Sequence, residues 1–123
     1  MELKYITAEG DMLAALGLQY GSDEATAFAV RVQQTLCCAA YASSVQMAKE
    51  RGAFPIYSAK REEHNPFISR IREADPKLYE EMTKYGRRNI ALLTIAPTGT
   101  VSICTQTTSG IEPVFLVSYK RYC

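Results

Sequence analysis

The chain has 123 residues, about the length of one domain. Its 14 lysines and arginines against 13 acidic residues give a net charge of +1, which excludes a mainly electrostatic nucleic-acid binder or membrane-surface binder. Hydrophobic residues make up 47% of the chain and charged residues 22%, as in globular proteins rather than disordered ones. The composition therefore predicts a packed core.

Cysteine and histidine usage argues against a metal centre. The four cysteines are Cys37, Cys38, Cys104 and Cys123, without the paired spacing of zinc ligands, and His64 is the only histidine. We interpret His64 as a solvated loop residue. Scattered cysteines and an amino terminus without the apolar core of a signal peptide predict a cytoplasmic protein in a reducing compartment.

Two helices are predicted in the first part of the chain. Apolar residues at helical spacing run from Glu9 to Leu18, and Gly17 is a suitable residue to end the helix. Ser22, followed by two acidic residues, predicts the cap of a second helix. This second helix runs to about Arg51, where Gly52 ends it.

The second helix has an uncharged interior. There is no charge between Arg31 and Lys49, and the seven residues from Leu36 onward are apolar. Because a helix that is apolar on every face is buried inside protein, we expect neighbours around its whole circumference, partly from another chain or from further sequence. The isolated chain is then expected to self-associate through the surface around Leu36, Ala40 and Val45.

A charged, loop-like segment at Ser58–Asn65 leads into two short helices. Asn65-Pro66 and Asp75-Pro76 each combine a capping side chain with a proline suited to the first helical position. Gly86 ends the second of these helices. Their charged side chains are interpreted as a solvated face: Arg70, Arg72, Glu73, Glu80 and Glu81.

The last third of the chain contains the predicted strands. Asn89–Ala96 is a short apolar run typical of a buried strand covered on both faces, and Val114–Tyr119 is a second predicted strand. The fold class is therefore α/β, mostly helical with few strands. The helical part covers about residues 8–86, and the strand, loop and strand cover about residues 87–123.

A hydroxyl-rich segment between these strands is the main candidate for chemistry. A strand that ends at a glycine turn and opens into a helix leaves backbone amides unpaired, and these favour phosphate. Gly99 also permits close approach of a ligand, although the spacing and lysine of a Walker A loop are missing. Equally, the threonines before and after Gly99 could simply cap a helix while the others line a turn. The seven hydroxyl residues are Thr98, Thr100, Ser102, Thr105, Thr107, Thr108 and Ser109.

Four other residues are weaker candidates. Cys104 has no basic neighbour in sequence to lower its pKa, so a buried structural cysteine is favoured over a reactive thiol. Glu112 precedes a proline, where a turn or salt-bridge role is favoured over a catalytic base. Arg87 and Arg88 could reach a phosphate, but paired arginines before a strand more often stay in solvent or stabilise a helix end.

These motifs resemble the substrate-phosphate region of the ribonucleotide reductase catalytic subunit, most of all the adenosylcobalamin-dependent class II type. The similarity covers roughly Gly10 to Tyr119 and leaves out the first nine residues. The upstream helices are similar as well. The residues that carry the resemblance are Arg88-Asn89, Thr94–Thr100, Ser102 and Ser109–Phe115.

The resemblance implies part of a ten-stranded α/β barrel, in which a thiyl radical reduces ribonucleotides to deoxyribonucleotides. It also implies adenosylcobalamin as the cofactor of the full enzyme, which this chain alone is not expected to hold. Expected partners are the ribonucleotide substrate and either the remainder of the barrel or a second copy. The residues implied to hold the substrate's phosphates are Thr98, Gly99, Thr100, Val101 and Ser102.

This sequence also departs from the family pattern. It contains no Asn-Pro-Cys-Gly-Glu type segment with the family's radical-bearing cysteine, so none of its cysteines is assigned a catalytic role. The family's regulatory nucleotide region and redox cysteine pair are absent as well. We therefore predict a part of a reductase that is inactive alone. The alternative is a non-enzymatic nucleotide-binding or assembly module derived from that fold.

Overall fold

The computed structural model describes residues 4–114, 116 and 118. Two short strands pair with each other, and the chain divides into two compact units. One unit is Arg31–Leu93, and the other combines Lys4–Val30 with the chain from Thr94 onward. The elements are β1 (Lys4–Tyr5), α1 (Glu9–Ala15), α2 (Asp23–Arg51), α3 (Ala59–Glu62), α4 (Pro66–Ala74), α5 (Pro76–Tyr85), β2 (Leu93–Thr94) and α6 (Gly99–Thr105).

Local capping chemistry determines where the first two helices begin and end. After α1, Gly17 adopts φ +71°, a left-handed conformation that glycine tolerates well. The Ser22 hydroxyl accepts a hydrogen bond from the amide of Ala25 at 3.2 Å at the start of α2. Gly52 follows the last residue of α2 with φ +80°. These predicted helix signals are confirmed.

The two predicted Asx-Pro helix starts are also confirmed. The Asn65 side chain accepts from the amide of Phe67 at 2.9 Å at the start of α4. Asp75 accepts from the amide of Leu78 at 3.0 Å at the start of α5. Gly86 then ends α5 with φ +73°. The charged residues assigned to a solvated face on these helices are all exposed.

The segment at 58–65 is not purely a loop, because it contains the single turn α3. Ser58 makes no side-chain cap hydrogen bond there. A tertiary contact stabilises the turn: Glu62, its last residue, forms an ion pair with the buried guanidinium of Arg87. No pattern within the segment itself reveals this contact.

The core of the Arg31–Leu93 unit forms where α2 packs against α4 and α5. Removing these apolar side chains from water supplies most of the stabilisation of such a unit. Met82 and Val45 are the two largest apolar side chains that are fully buried. The core residues are Tyr41, Val45, Ile68, Ile71, Leu78, Met82 and Leu92.

Within this chain α2 is not buried on every face, so its burial by another chain or by further sequence stays a prediction. Val30 is 58% exposed, and Leu36 and Ala40 are only half-buried. Val45, predicted to lie on a wet surface, is fully buried in the core. The helix has 29 residues, and the two that belong to the buried core, Tyr41 and Val45, lie in its carboxy-terminal half. Among the described residues, no helix is both long and apolar enough to span a membrane.

The strand predicted over Asn89–Ala96 is much shorter than expected. Only β2 is extended and paired, while Ile90 is 56% exposed and Ile95 is 67% exposed. A strand is maintained by its neighbours, and the only partner within the described residues is the two-residue β1. The described residues therefore form no closed barrel.

The second predicted strand, Val114–Tyr119, lies partly outside the described residues. Val114, Leu116 and Ser118 are described, and none of the three is assigned to a strand. Cys123 also lies outside the described residues.

Candidate anion-binding site

The candidate site is the loop that leads from β2 into α6. Thr98 immediately precedes the helix with φ +48°, and the amide of Ser102 is the first to bond back, to the carbonyl of Thr98 at 2.9 Å. The amides of Gly99, Thr100 and Val101 therefore belong to the first turn, where a helix offers them no carbonyl partner. The loop presents a short run of backbone donors.

Gly99, the first residue of α6, borders open space. A Cβ built at Gly99 would have no heavy atom within 4 Å, and its φ is not left-handed. Neither internal packing nor backbone conformation thus requires glycine at this position. The adjacent Thr100 is exposed. Gly99 itself is exposed as well.

Two of the loop's hydroxyls are already engaged in hydrogen bonds within the protein. The Thr98 hydroxyl donates to Oγ1 of Thr7 at 3.1 Å and accepts from the amide of Gly110 at 2.7 Å. The buried Ser102 hydroxyl donates to the carbonyl of Gly99 at 2.8 Å. Thr98 makes no side-chain cap hydrogen bond to α6, which counts against the alternative that this threonine serves only as a cap. Thr98 and Ser102 shape the loop, whereas Thr100 is exposed.

The residues just before and within α1 are joined to the far side of this loop. The carbonyl of Thr108 accepts from Oγ1 of Thr7 at 3.1 Å and from the amide of Ala8 at 3.2 Å. The amide of Thr108 donates to Oδ2 of Asp11 at 2.7 Å. Sequence reasoning missed Thr7 and Asp11, because no local pattern links residues about 100 positions apart.

Gly10 is fitted closely against the same region. A Cβ at Gly10 would lie 2.6 Å from the carbonyl oxygen of Glu112 and 2.7 Å from Cα of Pro113. Both neighbours are backbone atoms, which cannot rotate aside as a flexible side chain can. Gly10 is therefore required for the contact between α1 and the chain that follows the loop.

Arg87 is not available to a phosphate. It is 5% exposed, and its two terminal nitrogens both donate to the carboxylate of Glu62. Burial lowers the pKa of the guanidinium, but hydrogen bonding and Coulomb attraction to Glu62 outweigh it and leave the pKa above its ordinary value. Three aromatic rings lie 5.3 to 5.8 Å from Cζ: those of Tyr41, Phe54 and Tyr57.

The structure also shows the environments of the remaining sequence candidates. Arg88 is exposed and donates to the carbonyls of Arg51 at 3.4 Å and Gly52 at 3.3 Å, which confirms its role at a helix end. His64 is exposed in a turn, as predicted. Cys104 is exposed rather than buried, because it lies on an outer face of the short α6. Glu112 is also exposed.

The other described cysteines, Cys37 and Cys38, are free and half-buried in α2. Burial raises the pKa of both thiols, so neither has the activated character of a nucleophile. Within the part of the chain that the structure describes, no group of three or more His, Cys, Asp or Glu side chains could hold a metal ion.

The sequence can be compared with those of known proteins. The sequence model of the family described as "Ribonucleotide reductase, barrel domain" matches residues 6–123, nearly the whole chain. The chain belongs to the ribonucleotide reductase family, in its barrel domain. The match begins before Thr7, so the expectation that the first nine residues fall outside the family is wrong for residues 6–9.

Individual relatives support this membership. A vitamin B12-dependent ribonucleoside-diphosphate reductase of Mycobacterium tuberculosis is 37% identical over 90% of this chain and 13% of its own length. A protein of the same description from Thermoplasma acidophilum is 32% identical over 91% of the chain and 12% of its own length. A ribonucleoside-diphosphate reductase subunit alpha of Treponema pallidum is 32% identical over 84% of this chain and 12% of its own length. The chain thus spans about an eighth of these relatives.

Proposed function

We propose that this chain is part of a ribonucleotide reductase catalytic subunit and that its loop binds the phosphates of the ribonucleotide substrate. The relatives named ribonucleoside-diphosphate reductases support a nucleotide as the ligand. The open approach to Gly99, beside backbone amides without helical partners, is the observation that carries the proposal. The residues proposed to hold the phosphates are Thr98, Gly99, Thr100, Val101 and Ser102.

Some of these residues would donate hydrogen bonds to the phosphates, and others would stabilise the conformation of the loop. The amides of the first turn, with the helix dipole behind them, donate to phosphate oxygens, and the exposed Thr100 hydroxyl adds a neutral donor. The hydroxyls of Thr98 and Ser102 keep their internal partners and hold the turn in shape. A site built from amides and hydroxyls needs no excess of basic residues, consistent with the net charge of +1.

In this proposal the chain binds and orients substrate, while the radical-bearing cysteine comes from a segment that this sequence does not contain. Adenosylcobalamin, indicated by the vitamin B12-dependent relatives, supplies radical chemistry to the complete enzyme. In this proposal the chain contributes the phosphate loop and not the cobalamin site. We therefore assign no step of the reaction to that cofactor in this chain.

Calorimetric titration of the chain with a nucleoside diphosphate, a nucleoside triphosphate and inorganic pyrophosphate tests the loop. Gly99→Val should weaken phosphate binding roughly tenfold or more, because the added side chain covers the amides. Its folding should be little affected, since the space around Gly99 is open. Ile103→Ala is the matched control, because Ile103 is 78% exposed on the same helix, beyond its first turn. Equal affinities for both variants and the parent chain would contradict the proposal.

The alternative, a binding or assembly module without activity of its own, is favoured by the apolar residues left exposed in this chain. Val30, Ile95 and Ile103 are 58%, 67% and 78% exposed. Nucleotide binding that appears only after the remaining barrel is added would support an assembly part. Reduction of a ribonucleotide by the 123-residue chain with adenosylcobalamin and a dithiol would contradict both alternatives.

A further inference from the structure

We infer that Asp11 is a positioning residue for the Thr98–Ser102 loop and acts on it through the backbone of Thr108. The inference rests on the proposed phosphate-binding function of that loop. Asp11 is half-buried in the first turn of α1, where the helix dipole favours a carboxylate. Its Oδ2 accepts from the amide of Thr108 at 2.7 Å, a short, charge-assisted hydrogen bond.

Thr108 is held on its other side by the residues just before α1. Its carbonyl accepts from the hydroxyl of Thr7 at 3.1 Å and from the amide of Ala8 at 3.2 Å. Both backbone polar groups of Thr108 are therefore bonded to the segment of residues 7–11. Gly10 packs directly against Glu112, which leaves this segment little room to shift.

The same hydrogen bonds continue to the loop and close a ring. The Thr7 hydroxyl that donates to Thr108 also accepts from the hydroxyl of Thr98 at 3.1 Å. The Thr98 hydroxyl in turn accepts from the amide of Gly110 at 2.7 Å, two residues beyond Thr108. Asp11 is the charged group bonded to this ring, through the amide of Thr108, so its bond is expected to be stronger than those within the ring.

The conformation of Thr98 explains why the loop needs this support. Thr98 is β-branched, yet its φ is +48°, in a region that such residues rarely occupy. A conformation of this kind persists only when the surrounding structure determines it. Because Thr98 directly precedes α6, its conformation sets the direction of the amides at Gly99 and Thr100.

Hydrogen–deuterium exchange and pyrophosphate titration of the full chain test this role together. The variants are Asp11→Ala, the conservative Asp11→Asn, and Thr7→Val, which removes the hydroxyl donor to Thr108. The matched control is Asp23→Ala, because Asp23 is an exposed acid in the first turn of α2 and loses the same helix-dipole interaction.

We expect Asp11→Ala to speed exchange several-fold across residues 98–110, with α5 unchanged, and to weaken pyrophosphate binding roughly tenfold. Asp11→Asn should show smaller changes in both the exchange rate and the pyrophosphate affinity than Asp11→Ala does, since its amide oxygen still accepts a hydrogen bond. Unchanged exchange across residues 98–110, or the same change in Asp23→Ala, overturns the inference. If Asp11→Ala fails to fold, Asp11→Asn and Thr7→Val decide by the same criteria.

The two readouts separate this inference from the proposed function. A parent chain that binds no phosphate ligand contradicts the proposed function, while faster exchange across residues 98–110 in Asp11→Ala still supports the link to Asp11. Normal phosphate binding in a well-folded Asp11→Ala variant, with exchange unchanged, overturns the positioning role and leaves the loop's function intact.

Discussion

Arg87 and Arg88 are neighbours in the sequence but have opposite environments. The Arg87 guanidinium is buried against Glu62 and three aromatic rings, whereas Arg88 is exposed and donates to carbonyls at the end of α2. Burial is also the main reason that the pKa values of Tyr41 and Tyr57 are raised. Residue type alone therefore does not distinguish a structural arginine from a surface one.

We expect Arg87→Ala to lower the free energy of unfolding by about 3–5 kcal/mol, because it leaves the Glu62 carboxylate without its partner. Arg88→Ala should cost no more than about 1 kcal/mol, as for other exposed charged side chains. Urea denaturation of the two variants measures the difference. Losses of similar size would show that burial of the Arg87–Glu62 pair contributes little.

At the scale of elements, the starts of four helices were predictable, whereas the length of the strand predicted over Asn89–Ala96 was not. The starts of α4 and α5 depend on a capping side chain followed by proline, and both signals lie within a few residues of the helix they begin. Strand β2 depends on a partner about 90 positions earlier in the chain, and the run around it is too sparsely paired to remain extended. Only the helical signals are local.

Asp75→Ala should destabilise the Arg31–Leu93 unit by about 1 kcal/mol, because α5 loses the side chain that caps it. Glu80→Ala is the matched control, since this exposed acid lies in the interior of the same helix. Thermal unfolding followed by circular dichroism compares the two. A loss for Glu80→Ala as large as that for Asp75→Ala would contradict the capping role.

At the scale of the whole molecule, large apolar side chains remain in water. The predicted surface around Val45 is not among them, because Val45 belongs to the core. The exposed apolar residues are instead spread over both units, and they include Leu16, Val30, Ile56, Ile90, Ile95 and Ile103. The chain spans 12–13% of the length of its relatives, and packing of these surfaces against further sequence stays a prediction.

We expect the isolated chain to self-associate at high concentration, because exposed apolar side chains favour association. Sedimentation velocity over a range of concentrations measures this. Replacing Ile56, Ile95 and Ile103 together by threonine should shift the distribution toward monomer. A monodisperse monomer of the parent chain at high concentration would contradict the prediction.

The sequence by itself determined the helices α1, α2, α4 and α5, the family and the location of the candidate loop. Caps, prolines and glycines act within one helical turn, so the helices can be recognised from the sequence. The ordered motif from Thr94 to Phe115 is continuous in the chain, so the family can be recognised from the sequence as well. Only the tertiary structure decided the pairing of Arg87 with Glu62, the exposure of Cys104 and the ring that joins Asp11 to Thr98. Such contacts and exposures depend on how distant segments pack, and no local pattern encodes that geometry.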